Sequence, residues 1–106
     1  MNNTLSRFIE YNGTGKAQLD TDGKLLDGTV ISEDKKTILR FRSGLLDGDI
    51  YNTKGKLLLS KPAVETEGHQ EYWREGKLHR DNGLPAVISD GFRHKEWWEN
   101  GTRIEK

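Results

Sequence analysis

Three consecutive residues, His79, Arg80 and Asp81, are the side chains of this sequence best suited to acid–base chemistry or phosphate binding. Histidine titrates close to neutral pH and can shuttle protons, and a neighbouring cation could hold a phosphate group. His69 and His94 could join them across neighbouring strands, which would suit phosphodiester cleavage. No nucleophile, oxyanion-binding element or phosphate loop accompanies these residues. We therefore expect His79 and Arg80 to brace a turn instead of performing catalysis.

Metal and cofactor sites have little basis in the sequence. The chain has no cysteine, which excludes disulfides and cysteine-ligated zinc, and its three histidines are widely spaced. The stretch Asp20-Thr21-Asp22-Gly23 is similar to the start of a calcium-binding loop, but the later acidic ligands of such a loop are missing. We expect this stretch to form a hairpin turn, and we expect no metal and no cofactor.

The charge of the chain argues against general nucleic-acid binding. Lysine plus arginine and aspartate plus glutamate both number 17, and neither half of the chain is basic. The electrostatic footprint of a nucleic-acid binder is therefore missing. Arg40 and Arg42, together with the tryptophans, leave a single-stranded nucleic-acid binder as an alternative. The acidic run over residues 65–71 could imitate phosphates, although such a run is more commonly a solvated loop.

Short strands account best for the pattern between the turns. Pairs such as Asn-Gly and Asp-Gly interrupt the chain at short intervals, and no window between them has the apolar spacing of a helix. The intervening segments alternate with period two: Leu39 and Phe41 face one way, and Arg40 and Arg42 the other. This predicts one all-β domain over residues 1–106, with about eight to ten short strands in sequential antiparallel hairpins. The sheet is either open and twisted, or closed as a rolled sheet or sandwich.

The hairpin pattern recurs along the chain with a period of about 20–25 residues. Residues 25–31 return as residues 45–51, and residues 61–64 match residues 84–87. The repeats are degenerate over residues 12–64 and clearer over residues 68–104. Such units bury their apolar faces only by lying beside their neighbours. The residues predicted to form the turns of the clearer repeats are Gly76, His79, Asn82, Gly83 and Gly101.

The clearer repeats follow a longer pattern. From Trp73 the chain reads Trp-x-x-Gly-Lys-Leu-His-Arg-x-x-Gly-x-Pro-Ala-Val, followed by Asp-Gly and Trp-x-x-Asn-Gly. This resembles the MORN-like repeats of bacterial and phage proteins, over residues 68–101 and faintly over 12–60. The family includes many antitoxin or immunity components, so the resemblance implies a hairpin scaffold that neutralises a toxin. The chain departs from the pattern where Leu84 separates Gly83 from Pro85, and where His-Arg is missing after Gly101.

Two aromatic pairs are the most informative candidates for binding. Neighbouring strand residues face opposite sides of a sheet, so each pair places one ring on each face. One ring can fill the core, and the other is either covered by a second layer or exposed. An exposed aromatic row with arginines is typical of protein-binding hot spots. The residues predicted to contact a partner are Tyr72, Trp73, Arg74, Arg80, Arg93, Trp97 and Trp98.

These features together predict a small protein-binding module, not an enzyme, that inhibits or neutralises a partner protein. It is either an antitoxin or immunity protein or a phage-encoded inhibitor, and its partner is a toxin or a defence-system protein. A small nuclease-like enzyme using His79 and His94 is the alternative from another class. No signal peptide or membrane-spanning segment is visible, so we expect a soluble cytoplasmic protein. Any homodimer should form through the poorly protected edge strand at residues 8–11.

Overall fold

The computed structural model describes residues 19–105, which form short antiparallel strands. The strands are β1 (Gly28–Ile31), β2 (Ile38–Arg42), β3 (Leu45–Leu46), β4 (Asp49–Tyr51), β5 (Leu57–Ser60), β6 (Val64–Thr66), β7 (His69–Glu71), β8 (Trp73–Arg74), β9 (Lys77–Leu78), β10 (Val87–Ser89), β11 (His94–Glu99) and β12 (Thr102–Ile104). The predicted all-β fold of sequential hairpins is confirmed, with more strands than expected because several are only two residues long. The predicted edge strand at 8–11 lies outside the described residues.

Most strands belong to one open antiparallel sheet. Its path runs β1-β2-β6-β7-β10-β11-β12, and β3 pairs with β2 beside this path. The hairpins β4–β5 and β8–β9 form two separate sheets of two strands each. In the part of the chain that the structure describes, no helix is long and apolar enough to span a bilayer.

The main sheet has one apolar face. In β2, Leu39 and Phe41 are buried while Arg40 and Arg42 point the other way, which confirms the predicted alternation. Residues paired across strands share a face. One such row runs from Leu39 through Val64, Glu71 and Val87 to Glu96, and we call its side of the sheet the inner face. The main core cluster lies on this side and consists of Leu39, Phe41, Leu46, Ala63, Val64 and Trp73.

Three tight hairpins repeat the same backbone geometry. Each turn has two central residues with positive φ, as a type I′ turn requires. The pairs are Ser43-Gly44, Glu75-Gly76 and Asn100-Gly101, with φ values of 51° and 82°, 51° and 77°, and 50° and 83°. The structural repeat is therefore defined by its turns even where the side chains differ.

The same three hairpins are joined by matching hydrogen bonds. The turn glycine of each hairpin donates its amide hydrogen to the carbonyl of a leucine one repeat earlier. The bonds run from Gly44 to Leu26 (2.7 Å), from Gly76 to Leu46 (3.0 Å) and from Gly101 to Leu78 (2.9 Å). Each hairpin is thus held against its predecessor by its backbone, as in other repeat proteins.

A side chain reinforces each of these junctions. The residue after each leucine accepts the amide hydrogen of the other central turn residue. The bonds are Ser43 to Asp27 Oδ1 (2.8 Å), Glu75 to Asp47 Oδ2 (3.1 Å) and Asn100 to His79 Nδ1 (3.1 Å). Asp47 also accepts from the amide of Asp49, and burial raises the pKa of its carboxyl group above the ordinary value in spite of these bonds. The equivalent residue in the last hairpin, Ile104, has no side-chain acceptor.

The acidic run at 65–71 differs from the predicted solvated loop. Its two halves form the β6–β7 hairpin, with Glu65 opposite Gln70 and Thr66 opposite His69. The Glu71 side chain points to the inner face, and the residue is only 1% exposed. Glu71 is therefore unavailable to a partner, because it belongs to the polar part of the core.

Candidate functional site

The aromatic pairs place one ring on each face of the sheet. Trp73 and Trp98 lie on the side of the inner-face glutamates, to which their indole N–H groups donate hydrogen bonds. These bonds run from Trp73 to Glu71 and from Trp98 to Glu96, both at 2.9 Å. Trp73 is 3% exposed and sits in the core, whereas Trp98, in the last complete hairpin, is only half-buried.

The rings on the other face are covered by residues 80–85. The Arg80 guanidinium lies 3.8 Å above the centre of the Tyr72 ring, and Arg80 also donates to the Pro85 carbonyl. The half-buried Trp97 donates its indole N–H to the Gly83 carbonyl at 3.0 Å. This segment forms a second layer over the outer rings, which is one of the two alternatives that the sequence allowed. Tyr72 is consequently 8% exposed, so it offers no free ring to a partner.

Sequence reasoning missed a His-x-Glu-x-Trp motif that occurs twice, 25 residues apart. In both copies the glutamate accepts from the tryptophan and contacts the histidine. The copies are His69-Glu71-Trp73 and His94-Glu96-Trp98, with His–Glu distances of 2.7 and 2.8 Å. Burial acts to raise the pKa of Glu96, but the hydrogen bonds from His94 and Trp98 outweigh it, and the pKa is lowered. The equal spacing of the three residue types was the signal that could have revealed the motif.

Arg74 lies at the centre of an ion network that joins the β8–β9 hairpin to the β4–β5 hairpin. Its guanidinium donates a hydrogen bond to the Asp49 carboxylate. It also donates two hydrogen bonds to the Asp81 carboxylate, at 3.2 Å to Oδ1 and 2.7 Å to Oδ2. The hydrogen bond from Arg74, followed by that from His79, lowers the pKa of Asp81 to about 2. The same pairing with Asp81 raises the pKa of Arg74. Asp49 also accepts from Ser60 at 2.6 Å. Arg74 is therefore engaged within the fold.

The histidines are not arranged as a catalytic pair. His79 accepts the Asn100 amide hydrogen at Nδ1, and its Nε2 lies 2.7 Å from Asp81 and 2.9 Å from the Arg74 guanidinium. Asn100 follows the last residue of β11, whereas His94 is the first residue of that strand. At 3.3 Å per residue the backbones of His94 and Asn100 are about 20 Å apart, so His79, which contacts Asn100, lies near the opposite end of β11 from His94.

The remaining predicted residues lie at turns or on the outer face. Arg93 is exposed between β10 and β11. Arg40 binds Glu65 and the Pro62 carbonyl, and Arg42 stacks 4.5 Å from the Tyr51 ring centre, so neither guanidinium is free to follow a nucleic-acid backbone. Positive φ angles are found at four of the predicted turn residues, namely Gly76, Asn82, Gly83 and Gly101.

The loop that is similar to a calcium site is a closed hairpin turn. Asp20 accepts the amide hydrogens of Asp22 and Lys24 with the same carboxylate oxygen, Oδ1. Asn52 makes the matching pair of bonds in the turn before β5. Among residues 19–105, no group of three or more His, Cys, Asp or Glu side chains is placed to hold a metal ion.

The described residues also form a groove that the sequence did not predict. It lies between β5 and residues 80–84 and has a volume of about 240 Å³. We call it the leucine groove, because Leu58, Leu59 and Leu84 line it while being 62%, 50% and 45% exposed. The other residues that line it are Leu57, Ser60, Arg80, Asp81 and Asn82.

Comparison of the chain with protein-family models, with curated proteins and with solved structures found no match.

Proposed function

We propose that this protein binds another protein through the leucine groove and thereby inhibits or neutralises it. The observation that carries the proposal is the exposure of three leucines on the two walls of one groove. Burying a leucine side chain is worth about 1.5–3 kcal/mol, so a partner that covered these residues would gain a hot spot of binding energy. Soluble proteins rarely leave such clustered apolar surface uncovered without an interaction to make.

Two of the residues predicted to bind a partner border this groove. Arg80 lines it directly. Trp97 borders it only through Gly83, the residue before Leu84, because the half-buried indole donates its N–H to the Gly83 carbonyl. Arginine and tryptophan are enriched among the residues that dominate binding energy. The proposed binding surface therefore includes part of the predicted aromatic–arginine set, but its central residues are the exposed leucines.

The biological role that we propose is an antitoxin or immunity protein, or a phage-encoded inhibitor of a host defence system. The first follows from the resemblance of residues 68–101 to MORN-like repeats. The second follows from the small size of the chain and from the lack of a recognisable set of catalytic side chains among residues 19–105. In both cases the protein acts by covering a surface of its partner, and a toxin or a defence-system protein is the expected target.

The test compares groove variants with a matched control. Leu58→Ser and Leu84→Ser remove exposed apolar side chains from the groove, while Ile31→Ser removes one that is 55% exposed in β1. Tagged proteins are used to capture partners from lysate of the source cells, and the captured partner is then purified and titrated calorimetrically. We expect each groove variant to weaken binding at least about tenfold. Ile31→Ser should leave the affinity unchanged.

Inhibition is measured on the same partner. Wild-type protein should suppress the activity of the partner at stoichiometric concentration. The two groove variants should require a higher concentration, in proportion to their loss of affinity. Equal affinity of wild type, Leu58→Ser and Leu84→Ser for the partner would exclude the leucine groove as the binding surface. A partner that binds with full activity would contradict the inhibitory role alone.

A further inference from the structure

The strand β5 has an unpaired backbone edge. It pairs with β4 through Asp49 opposite Ser60 and Ile50 opposite Leu59, the register shifts at Leu58, and these two strands form a sheet of their own. In an antiparallel pair, the backbone groups of every second residue point away from the partner strand. No strand within residues 19–105 pairs with that second edge of β5. The strand that forms one wall of the leucine groove therefore has backbone donors and acceptors left for a further strand.

Positive charge lies at both ends of this strand. Lys54 and Lys56 are exposed in the turn before β5, Lys61 is exposed directly after it, and Arg80 lies on the opposite wall. Within the described part of the chain, none of these four side chains forms a salt bridge with a carboxylate. The one carboxylate that lines the groove, that of Asp81, is already bound by the guanidinium of the ion network. An acidic ligand that lay along β5 would therefore meet lysine charges without salt-bridge partners at both ends of the strand.

Resting on the proposed protein-binding function, we propose that the leucine groove takes an extended segment of the partner that adds as a strand to β5 and carries alternating apolar and acidic side chains. Strand addition supplies affinity through main-chain hydrogen bonds and specificity through alternate side chains. With period two, one set of side chains lies against the leucines and the other meets the lysines.

An anionic membrane fits the same residues less well. A hairpin that enters a lipid surface needs apolar side chains at its leading end. The turn that leads the β4–β5 hairpin is instead Asn52-Thr53-Lys54-Gly55-Lys56, and the leucines follow it within the strand. A groove with walls on both sides also suits a chain of polypeptide width better than a flat surface.

The first experiment uses a defined probe, a fluorescein-labelled ten-residue peptide of alternating glutamate and valine, followed by fluorescence anisotropy. We expect saturable binding by the intact protein, and we expect Lys56→Glu and Lys61→Glu each to weaken it at least about tenfold at low salt. Lys24→Glu is the matched control, because Lys24 occupies the same position in a turn of the same construction. Equal binding of a lysine–valine peptide, or unchanged binding to the Lys56 and Lys61 variants, would overturn the proposal.

The second experiment tests strand pairing itself. Two versions of the peptide are N-methylated on alternate residues in complementary frames, and each removes the N–H groups of one edge. A peptide that adds to β5 uses one edge only, so one version should lose binding at least tenfold and the other should keep it. Binding of both versions would reduce the interaction to side-chain contact and refute strand addition. Binding of the protein to phosphatidylserine vesicles but not to the peptide would identify a lipid surface instead.

Different results would contradict the proposed function and the proposed strand addition. If the leucine variants lose the captured partner but the glutamate–valine peptide does not bind or compete, the groove binds a protein in another manner. If the leucine variants keep the partner, the groove is not its binding surface, whatever the peptide does.

Discussion

The two copies of the His-x-Glu-x-Trp motif permit a matched comparison of a buried and a more exposed glutamate. Glu71 and Glu96 have the same partners at nearly the same distances, so Glu71→Ala and Glu96→Ala remove the same contacts. They differ in surroundings: Glu71 is 1% exposed, whereas the side chain of Glu96 is 22% exposed. We expect the two substitutions to differ strongly in their effect on stability.

The magnitude follows from what each substitution leaves behind. Without Glu71, the indole N–H of the buried Trp73 has no acceptor, which costs about 1–3 kcal/mol. The lost side-chain volume beside Val64 and Val87 adds about 1 kcal/mol. Glu71→Ala should therefore lower the free energy of unfolding by about 2–4 kcal/mol. At Glu96 water can replace the carboxylate, and the loss should be about 0.5–1 kcal/mol.

Urea denaturation followed by circular dichroism measures the difference. With an m-value of about 1.5 kcal/mol per molar, a loss of 3 kcal/mol lowers the midpoint by about 2 M. Glu71→Gln is the control, because the amide oxygen still accepts from the indole, and it should recover most of the loss. Equal midpoint shifts for Glu71→Ala and Glu96→Ala, or a Gln variant as unstable as the Ala variant, would refute the role given to the buried hydrogen bond.

Further predictions concern the backbone, the ion network and the aromatic rings. Gly48→Ala should destabilise the domain by about 3 kcal/mol in thermal melts, because its Cβ would lie 1.9 Å from the Lys61 carbonyl oxygen, while Gly55→Ala, in open space with positive φ, should cost about 1 kcal/mol. The Asp81 carboxylate, with its pKa lowered to about 2, stabilises the fold above pH 4, and this stabilisation is lost as the group is protonated between pH 4 and 2. In Asp81→Asn the free energy of unfolding should therefore fall less steeply over this pH range. Solvent screening at this half-exposed group limits the difference to about 1 kcal/mol. The same dependence of stability on pH between 4 and 2 in wild type and Asp81→Asn would contradict this prediction. Trp97→Ala should stay folded by circular dichroism with a loss of about 1–2 kcal/mol, and outright unfolding would show that its ring belongs to the core.

Local patterns predicted the strands and turns because they depend on neighbouring residues. The alternation of Leu39 and Phe41 with arginines marks the apolar face of β2, and Asn100-Gly101 forms the type I′ turn that an Asn-Gly pair predicts. The burial of Tyr72 could not be predicted in this way, since its cover is a separate segment whose position depends on the packing of the next repeat. For the same reason an acidic run gave no sign that Glu71 points inward.

The origin of the leucine groove lies in a difference between two repeats. The chain from Leu46 to Pro62 is longer by nine residues than the matching chain from Leu78 to Pro85, and the longer chain contains the β4–β5 hairpin. The groove lies between this longer connection and its short counterpart at residues 80–84. In repeat proteins, insertions of this kind fall on one face, which is often the binding face. Since the scaffold is held by the turn hydrogen bonds that all three hairpins share, the inserted leucines are not needed to join the repeats, which supports the proposal that a partner covers them.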